Sequence, residues 1–360
     1  MRVTRSSTDS GSTVRLADIA RVAGVSSATV SYALTGVNGV SAPTRQRILR
    51  IARRLGYVAN RHAAALRSRR SLLLGVLVTD IKNPFFAEIV SGIESAASAN
   101  QYRVMLCVTR DGSVDEARHL QMLLEHNVDG LIIVPVACDP EGTYRNVRLL
   151  KAFQRRQIPI QCIVDGIRGL RTGRILTDVY KGTRLVVEHL IGLGHRHIAY
   201  FSQPFVKVRK GGRHAGYYDA LQAFGVPARP ELMIEAGLTP RDAYERTRWF
   251  VRRKIFFTAA VYPNDYMAVG GLRALRESGL NVPRDVSVTG FDDVEWARYC
   301  EVPLTTVRFP ARELGERCVM ELMRYIHADQ DPDRTMCDIV LPPTLVVRES
   351  TAPPPGVAQS

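Results

Sequence analysis

Apolar residues recur along this chain at two different periods, helical near the N-terminus and strand-like beyond it. Leu16, Ile19, Ala20 and Ala23 follow the i, i+3, i+4, i+7 spacing of one helix face. Val30, Ala33 and Leu34 repeat it after Gly24, and Ile48, Ile51, Ala52 and Leu55 repeat it after Pro43. Three short helices sharing one small core are predicted. Between the first two stands Gly24-Val25-Ser26, where glycine permits a tight turn and Ser26 can cap the next helix. Two helices joined this closely make a helix-turn-helix, whose second helix can enter a DNA major groove.

From Leu72 the pattern changes to apolar runs alternating with amphipathic helices. Strands are predicted at 72–78, 102–108, 130–135, 159–164, 197–202, 231–235, 257–262 and 286–291, with helices between them at 85–99, 115–126, 181–193 and 266–278. Such alternation implies parallel sheets covered on both faces, and the body is too long for one doubly wound domain, so two lobes with a cleft are expected. Open parallel sheets bind ligands beyond the carboxyl ends of their strands. The residues there are Asp80 with Asn83-Pro84-Phe85-Phe86, Asp165, Asn264-Asp265 and Asp292-Asp293, joined by Arg213 after two glycines. Acids, an amide and a guanidinium can pair with vicinal hydroxyls while an aromatic ring covers a sugar face. Each has a plainer reading: Asn83 and Asn264 suit helix N-caps, and Phe85 and Phe86 suit a core.

Charge is divided as sharply as periodicity. The chain carries a formal +14, yet residues 1 to 70 hold 13 Arg, no Lys and two acids, leaving only +3 for the rest. On the second helix Ser27, Ala28, Ser31 and Tyr32 are expected to face outward, small enough for close approach to base edges, while Arg45, Arg47, Arg50, Arg53 and Arg54 load the third helix. One-signed charge over this length favours a nucleic-acid surface over a merely solvated face. The stretch NRHAAALRS, residues 60 to 68, is helix-prone but too short to stand alone in water. Leu66 among arginines suits a minor-groove wedge, and the segment suits a basic linker equally well.

Other classes fall away. With 46% apolar residues the chain can bury a core, and its longest apolar runs are strand-sized, so no membrane span is expected. The polar N-terminus lacks a secretory apolar stretch, and six scattered cysteines without a Cys-x-x-Cys pair read as reduced thiols of a cytoplasmic protein. An enzyme is poorly supported. His195-Arg196-His197 has no third metal ligand at diagnostic spacing, Gly192-Leu193-Gly194 leads into a strand and not a helix, and Ser202 and Ser287 lack the glycines of a nucleophile elbow. Neither cofactor nor metal is expected.

LADIARVAGVSSATVSYAL followed by VSAPTRQRILRIARRLGYVANRHAAALRS resembles the DNA-binding head of the LacI/GalR family of bacterial transcription regulators. The resemblance continues through DGLIIVP, HLIGLGHRHIAYFS, PNDYMAVGGLRAL, VPRDVSVTGFDD, PLTTVR and LPPTLVVRES, almost the whole chain apart from its tails. It implies a helix-turn-helix head and a periplasmic-binding-protein-like body of two parallel-sheet lobes, acting as a homodimer on a palindromic double-stranded DNA operator. By position it places Ser27, Ala28 and Tyr32 on bases, Leu66 at the hinge wedge, and Ser26, Ser31, Thr44 and Asn60 on the DNA backbone; Arg15, Tyr57 and Ala63 complete that expected set. Ala59 stands where the family commonly has proline. Asp165, Arg213, Asn264 and Asp292 match effector positions, and Asn83-Pro84-Phe85-Phe86 is similar to the first-strand loop of sugar-responsive members.

The implied function is a ligand-responsive regulator, a repressor of carbohydrate-utilisation genes, with a nucleobase or nucleoside effector, an activator, or an enzyme with a fused head as alternatives. The expected organisation is a disordered tail at 1–13, a DNA-binding domain at 14–59, a hinge at 60–71, a body at 72–348 and a disordered tail at 349–360. The body's lobes are expected at 72–177 plus 308–325, and at 178–307 plus 326–348. STAPPPGVAQS has no heptads, so a dimer and not a coiled-coil tetramer is expected.

Overall fold

The three helices that the apolar spacing predicts form in the first of two compact units, residues 1–69, the second being residues 70–360. The structure, a computed structural model, describes residues 14–35, 39–57, 70–109, 113–135, 144–163, 167, 169–202, 212–328 and 335–356. In the first unit α1 (Leu16–Ala23), α2 (Ser27–Thr35) and α3 (Ala42–Arg54) enclose Ile19, Val30 and Ile48, each fully buried. Gly24 ends α1 at φ 64°, a left-handed conformation that only glycine adopts without strain, and the chain turns directly into α2. The Arg47 guanidinium donates to the Ala23 carbonyl at 3.0 Å, where the α1 dipole favours a cation.

The second unit holds two parallel sheets. The first comprises β1 (Leu73–Val78), β2 (Arg103–Val108), β3 (Gly130–Ile133), β4 (Ile160–Ile163), β5 (Gly173–Thr177) and β11 (Asp338–Leu341), in the order β11-β5-β4-β3-β1-β2. The other comprises β6 (Ile198–Ser202), β7 (Met233–Glu235), β8 (Ala259–Val261) and β9 (Ser287–Thr289), in the order β7-β6-β8-β9. β1, β3, β4, β6, β8 and β9 are buried almost throughout, as strands covered on both faces must be. Helices α4 (Pro84–Ala99), α5 (Ser113–Glu125), α6 (Val147–Arg155) and α12 (Ala311–His327) flank the first sheet; α7 (Val179–Gly192), α8 (Arg213–Ala223), α9 (Pro240–Arg252), α10 (Asp265–Glu277) and the short α11 (Trp296–Tyr299) accompany the second. α4 and α12 pack closely because Gly92 and Gly315 face backbone: a Cβ on either would collide with the Arg312 or Ile89 carbonyl.

The chain passes between the sheets three times, after β5, along β10 (Thr306–Arg308) and along β12 (Thr344–Val346), the last two pairing antiparallel. This redraws the expected lobe limits. Residues 326–348 do not stay with the second lobe, because Asp338–Leu341 pairs in parallel with Arg174–Thr177 and extends the first sheet. The expected disordered tail from 349 is also corrected. Ser350 is fully buried; its hydroxyl donates to the Val288 carbonyl at 2.6 Å and accepts from the Thr305 amide at 2.7 Å. Next to it, the Ala352 carbonyl accepts from His195 Nε2 at 2.9 Å, and its amide donates to Ser287 Oγ at 3.0 Å. His195 Nδ1 lies 2.9 Å from the Thr258 hydroxyl, and burial lowers the imidazole pKa to about 4, so this ring is a neutral pin for the C-terminal segment.

Ser350→Ala should destabilise the full chain by about 1–3 kcal/mol in urea unfolding, because two buried backbone groups lose their partner. A variant indistinguishable from the parent would show that the tail is only laid on the surface.

Candidate functional site

In the first unit the second helix presents its N-terminal turn. Ser26, Ser27 and Ala28 are exposed and Tyr32 is 49% exposed, so the expected base-reading residues stand free. Ser26 also caps the helix, its Oγ accepting from the Thr29 amide at 3.1 Å. Ser31 departs from expectation. It is 8% exposed, next to the fully buried Val30 on α2. Thr44 is half-buried and accepts from Ser41 Oγ at 2.9 Å at the start of α3; Tyr57 packs on the small core and Arg15 is exposed. Arg50, Arg53 and Arg54 face solvent as predicted, whereas Arg47 is held by Ala23. Asn60, Ala63 and Leu66 lie outside the described residues, as does Asp165.

In the second unit the predicted effector residues separate into two groups. Asn83 is an N-cap, its side chain accepting from the Phe85 amide at 3.1 Å, and Asn264 caps α10 by accepting from the Met267 amide at 2.7 Å. Phe85 is core at 8% exposure, with Phe86 half-buried edge-on to it at 5.5 Å. For Asn83 and Phe85 the plainer reading therefore describes what the side chains do. Asp80, half-buried at the end of β1, accepts from the Lys82 amide at 2.8 Å. Its charge acts across to the second sheet's side, where burial first and Asp80 second raise the Tyr266 phenol pKa.

Arg213 and Asp292 form the other group. Arg213 opens α8, and its guanidinium carbon sits 3.8 Å from the centre of the Phe291 ring. Its Nη1 is buried with no hydrogen-bond partner among the described residues. Burial lowers the Arg213 pKa while the charges of Asp292 and Tyr200 act to raise it, so a cation is held in a desolvated place with donors unspent. Asp292 is buried at 6% exposure and stands at φ 106°, a backbone conformation rare for any residue but glycine. Burial, and then the charge of Asp265, push its carboxyl well above the usual range, with Arg213 opposing. Its amide donates to the Val307 carbonyl at 2.8 Å, tying this loop to β10.

Two neighbouring acids, named in the sequence only within the Asn264-Asp265 and Asp292-Asp293 pairs, carry the loop. Asp265 accepts from Thr306 Oγ1 at 2.5 Å and from the Val294 amide at 2.9 Å, yet burial raises its pKa to about 7. Asp293, whose side chain is 1% exposed, accepts from Arg308 Nε at 2.6 Å and Arg348 Nη2 at 2.5 Å. Phe291, Tyr200 and the Tyr266–Trp296 ring pair at 6.1 Å were also missed; an apolar run ending in Phe-Asp-Asp was the available signal for the first of them. No cluster of three metal-ligating side chains occurs among the described residues.

Residues 15–60 match the family described as bacterial regulatory proteins, lacI family, and residues 187–351 match the periplasmic binding protein-like domain. The ribose operon repressor of Haemophilus influenzae is 31% identical over 92% of this chain and 97% of its own length. The HTH-type transcriptional repressor PurR of Mannheimia succiniciproducens is 32% identical with the same coverage. Among solved structures, the lac repressor dimer bound to operator and the anti-inducer ONPF superposes with a TM-score of 0.82 at 30% identity, over 95% of this chain and 100% of that one. A LacI family regulator from Enterococcus faecium with bound ribose gives 0.67 at 27% identity, over 78% and 99%.

The raised Asp265 pKa sets a pH dependence. Its folded value lies above the unfolded value of about 4, so the contribution to stability is fully present below pH 4 and is lost as pH rises through 7. Asp265→Asn should remove that slope: between pH 4 and 8 the parent should lose stability relative to the variant by a few kcal/mol in urea unfolding, at about 1.4 kcal/mol for each pH unit between the two values. Parallel profiles for the two proteins would contradict a proton held at Asp265.

Proposed function

This chain belongs to the lacI family of bacterial regulatory proteins, and from that membership we propose that it is a repressor that binds a palindromic operator as a homodimer and responds to a sugar or sugar derivative. It is a ligand-responsive DNA-binding regulator and not an enzyme. No described helix is long and apolar enough to cross a membrane, and DNA as the partner supports the cytoplasm as the site of action.

The observation that carries the effector reading is the buried, unpartnered Nη1 of Arg213 beside Asp292 and over Phe291. A buried donor left unpaired costs free energy, and a ligand hydroxyl or carbonyl supplies what it lacks. Asp292 offers the complementary acceptor, and the Phe291 ring sets the approach. Ribose in the Enterococcus faecium regulator and cellobiose in the neighbour described as CelR support a sugar. A nucleobase is the second reading, favoured by the aromatic pair Tyr266–Trp296, half-open beside the same loop.

Operator binding belongs to the exposed N-terminal turn of α2 and the arginines of α3, with Leu66 as the hinge wedge. Two heads reading two half-sites fit a dimer, the state of the lac repressor in its operator complex. The effector acts by linkage: it binds one relative orientation of the lobes more tightly than another, and a coupling of about 1–3 kcal/mol is typical.

Ribose, cellobiose and a panel of nucleobases should be screened by thermal shift, since a bound ligand raises apparent stability by mass action. With whichever compound raises the melting temperature, Arg213→Ala and Asp292→Ala should abolish the effector-dependent change in gel-shift affinity while leaving ligand-free DNA binding intact. Response retained in both variants would refute the assignment. Leu66→Ala should weaken specific binding more than random-sequence binding, because a wedge depends on a deformable base step and phosphate contacts do not. Equal loss on both DNAs would return residues 60 to 68 to a basic linker.

A further inference from the structure

The small net charge of the body conceals a strongly one-sided segment. Residues 144 to 174 contain seven arginines and Lys151 against a single acid, Asp165. The sheet topology brings part of this charge to one edge. In the first sheet every strand starts at the same end, and that end is where the chain enters the body at Arg70. Arg103 is the first residue of β2 and pairs in register with Leu73; Arg155 ends α6 just before β4; Arg171 lies two residues before β5. All three are exposed, and among the described residues no ion pair engages any of them. The Gln154 amide donates to the Arg171 carbonyl at 2.8 Å, which fixes the end of α6 against the entry to β5.

Acids at this edge are few, and Asp338 at the start of β11 is paired with Arg174. Asp129 accepts from the Ser71 amide and hydroxyl and from the Leu72 amide, all within 3.0 Å, and Glu125 accepts from Gln121 at 3.1 Å. From β2 to β5 are four strand steps, so the row of cations spans about 19 Å at about 4.8 Å per step. A merely solvated face would need no such alignment.

We infer that this edge, carried by Arg103, Arg155 and Arg171, is a second DNA-contacting surface that binds the phosphate backbone without reading sequence. DNA is favoured over an acidic protein by tethering. Tyr57 and Arg70 are separated by residues 58–69, a stretch that reaches at most about 45 Å when extended, so duplex held by the first unit stays within range of this edge. Duplex DNA carries one negative charge per about 1.7 Å of axis, and each phosphate neutralised releases counterions. The surface adds affinity that falls steeply with salt and adds no base preference. The inference rests on the chain's being a DNA-binding regulator, and goes beyond it by assigning part of the binding to the body.

The test uses the full chain and a labelled random-sequence duplex several helical turns long, with anisotropy titrations across a range of KCl. Replacing Arg103, Arg155 and Arg171 together by Gln should reduce the slope of log K against log salt by about 2 to 3, at about 0.9 for each phosphate no longer neutralised. A control of equal charge change, Arg252→Gln with Lys254→Gln and Arg298→Gln on the second lobe, should leave the slope unchanged. An unchanged slope in the first triple, or equal loss in both, overturns the second surface and leaves the DNA-binding reading standing. Failure of the parent chain to bind the duplex even at low salt would instead overturn that reading itself.

Discussion

The buried carboxylate of Asp293 is the constraint on which the body's arrangement turns. A charge with a side chain 1% exposed is tolerated only when paired and hydrogen-bonded, and Asp293 has two guanidinium partners, Arg308 and Arg348. Those partners close β10 and follow β12, two of the three passages between the sheets. One acid therefore holds both passages at a single point. Removing one member of such a set leaves an uncompensated buried charge, a loss of about 3–5 kcal/mol. The neighbouring Asp292 inherits its position from that clamp: its positive φ is a conformation the surroundings must impose, and its amide is bonded to the Val307 carbonyl on β10. Asp292 is thus fastened directly to one of the passages between the sheets.

Asp265 completes this arrangement from α10. Three carboxyl groups lie close together, Asp265, Asp292 and Asp293, and like charges so placed cannot all be ionised cheaply. Asp293 has two cationic partners, Arg308 and Arg348. Asp265 has only hydrogen-bond donors, Thr306 and the Val294 amide, and so retains a proton near neutrality. The guanidinium of Arg213 faces the Asp292 carboxyl without an ion pair among the described residues to satisfy it and still has an unspent donor. The site is pre-organised but incomplete, which is what a binding site requires.

Local pattern made much of this legible. The helix spacing of 16–55 gave three real helices, and the alternation from residue 72 gave the parallel sheets, because both periods report burial directly. The rule that ligands sit beyond strand ends points to Arg213 and Asp292, which the structure brings to one buried loop. It also swept in Asn83 and Phe85, whose positions after a strand serve a helix cap and the core equally well. What escaped was non-local. β5, β10, β11 and β12 are three to five residues long, with partly exposed faces, and their identity depends on partners far away in sequence, Arg174 with Asp338 and Val307 with Leu345. The proline-rich C-terminal segment reads as disorder until His195 and Ser287 are seen to bind it. Ser31 escaped for the opposite reason: it lies at the margin of a buried stripe, where the helical period alone does not say which side a small residue takes.

The same residue type performs two different jobs here, and solvent decides which. Exposed arginines such as Arg50, Arg103 and Arg155 keep their hydration, act through a field that salt screens within about 10 Å, and add to one another roughly independently of geometry. Arg213 is desolvated, so its interaction with a ligand oxygen is strong, directional and little screened, and a small displacement of the loop at Asp292 changes it substantially. Ionic strength therefore acts mainly on the exposed arginines and little on the buried one. Burial thus separates the two roles in a chain with 49 basic residues, keeping one desolvated guanidinium apart from its hydrated ones.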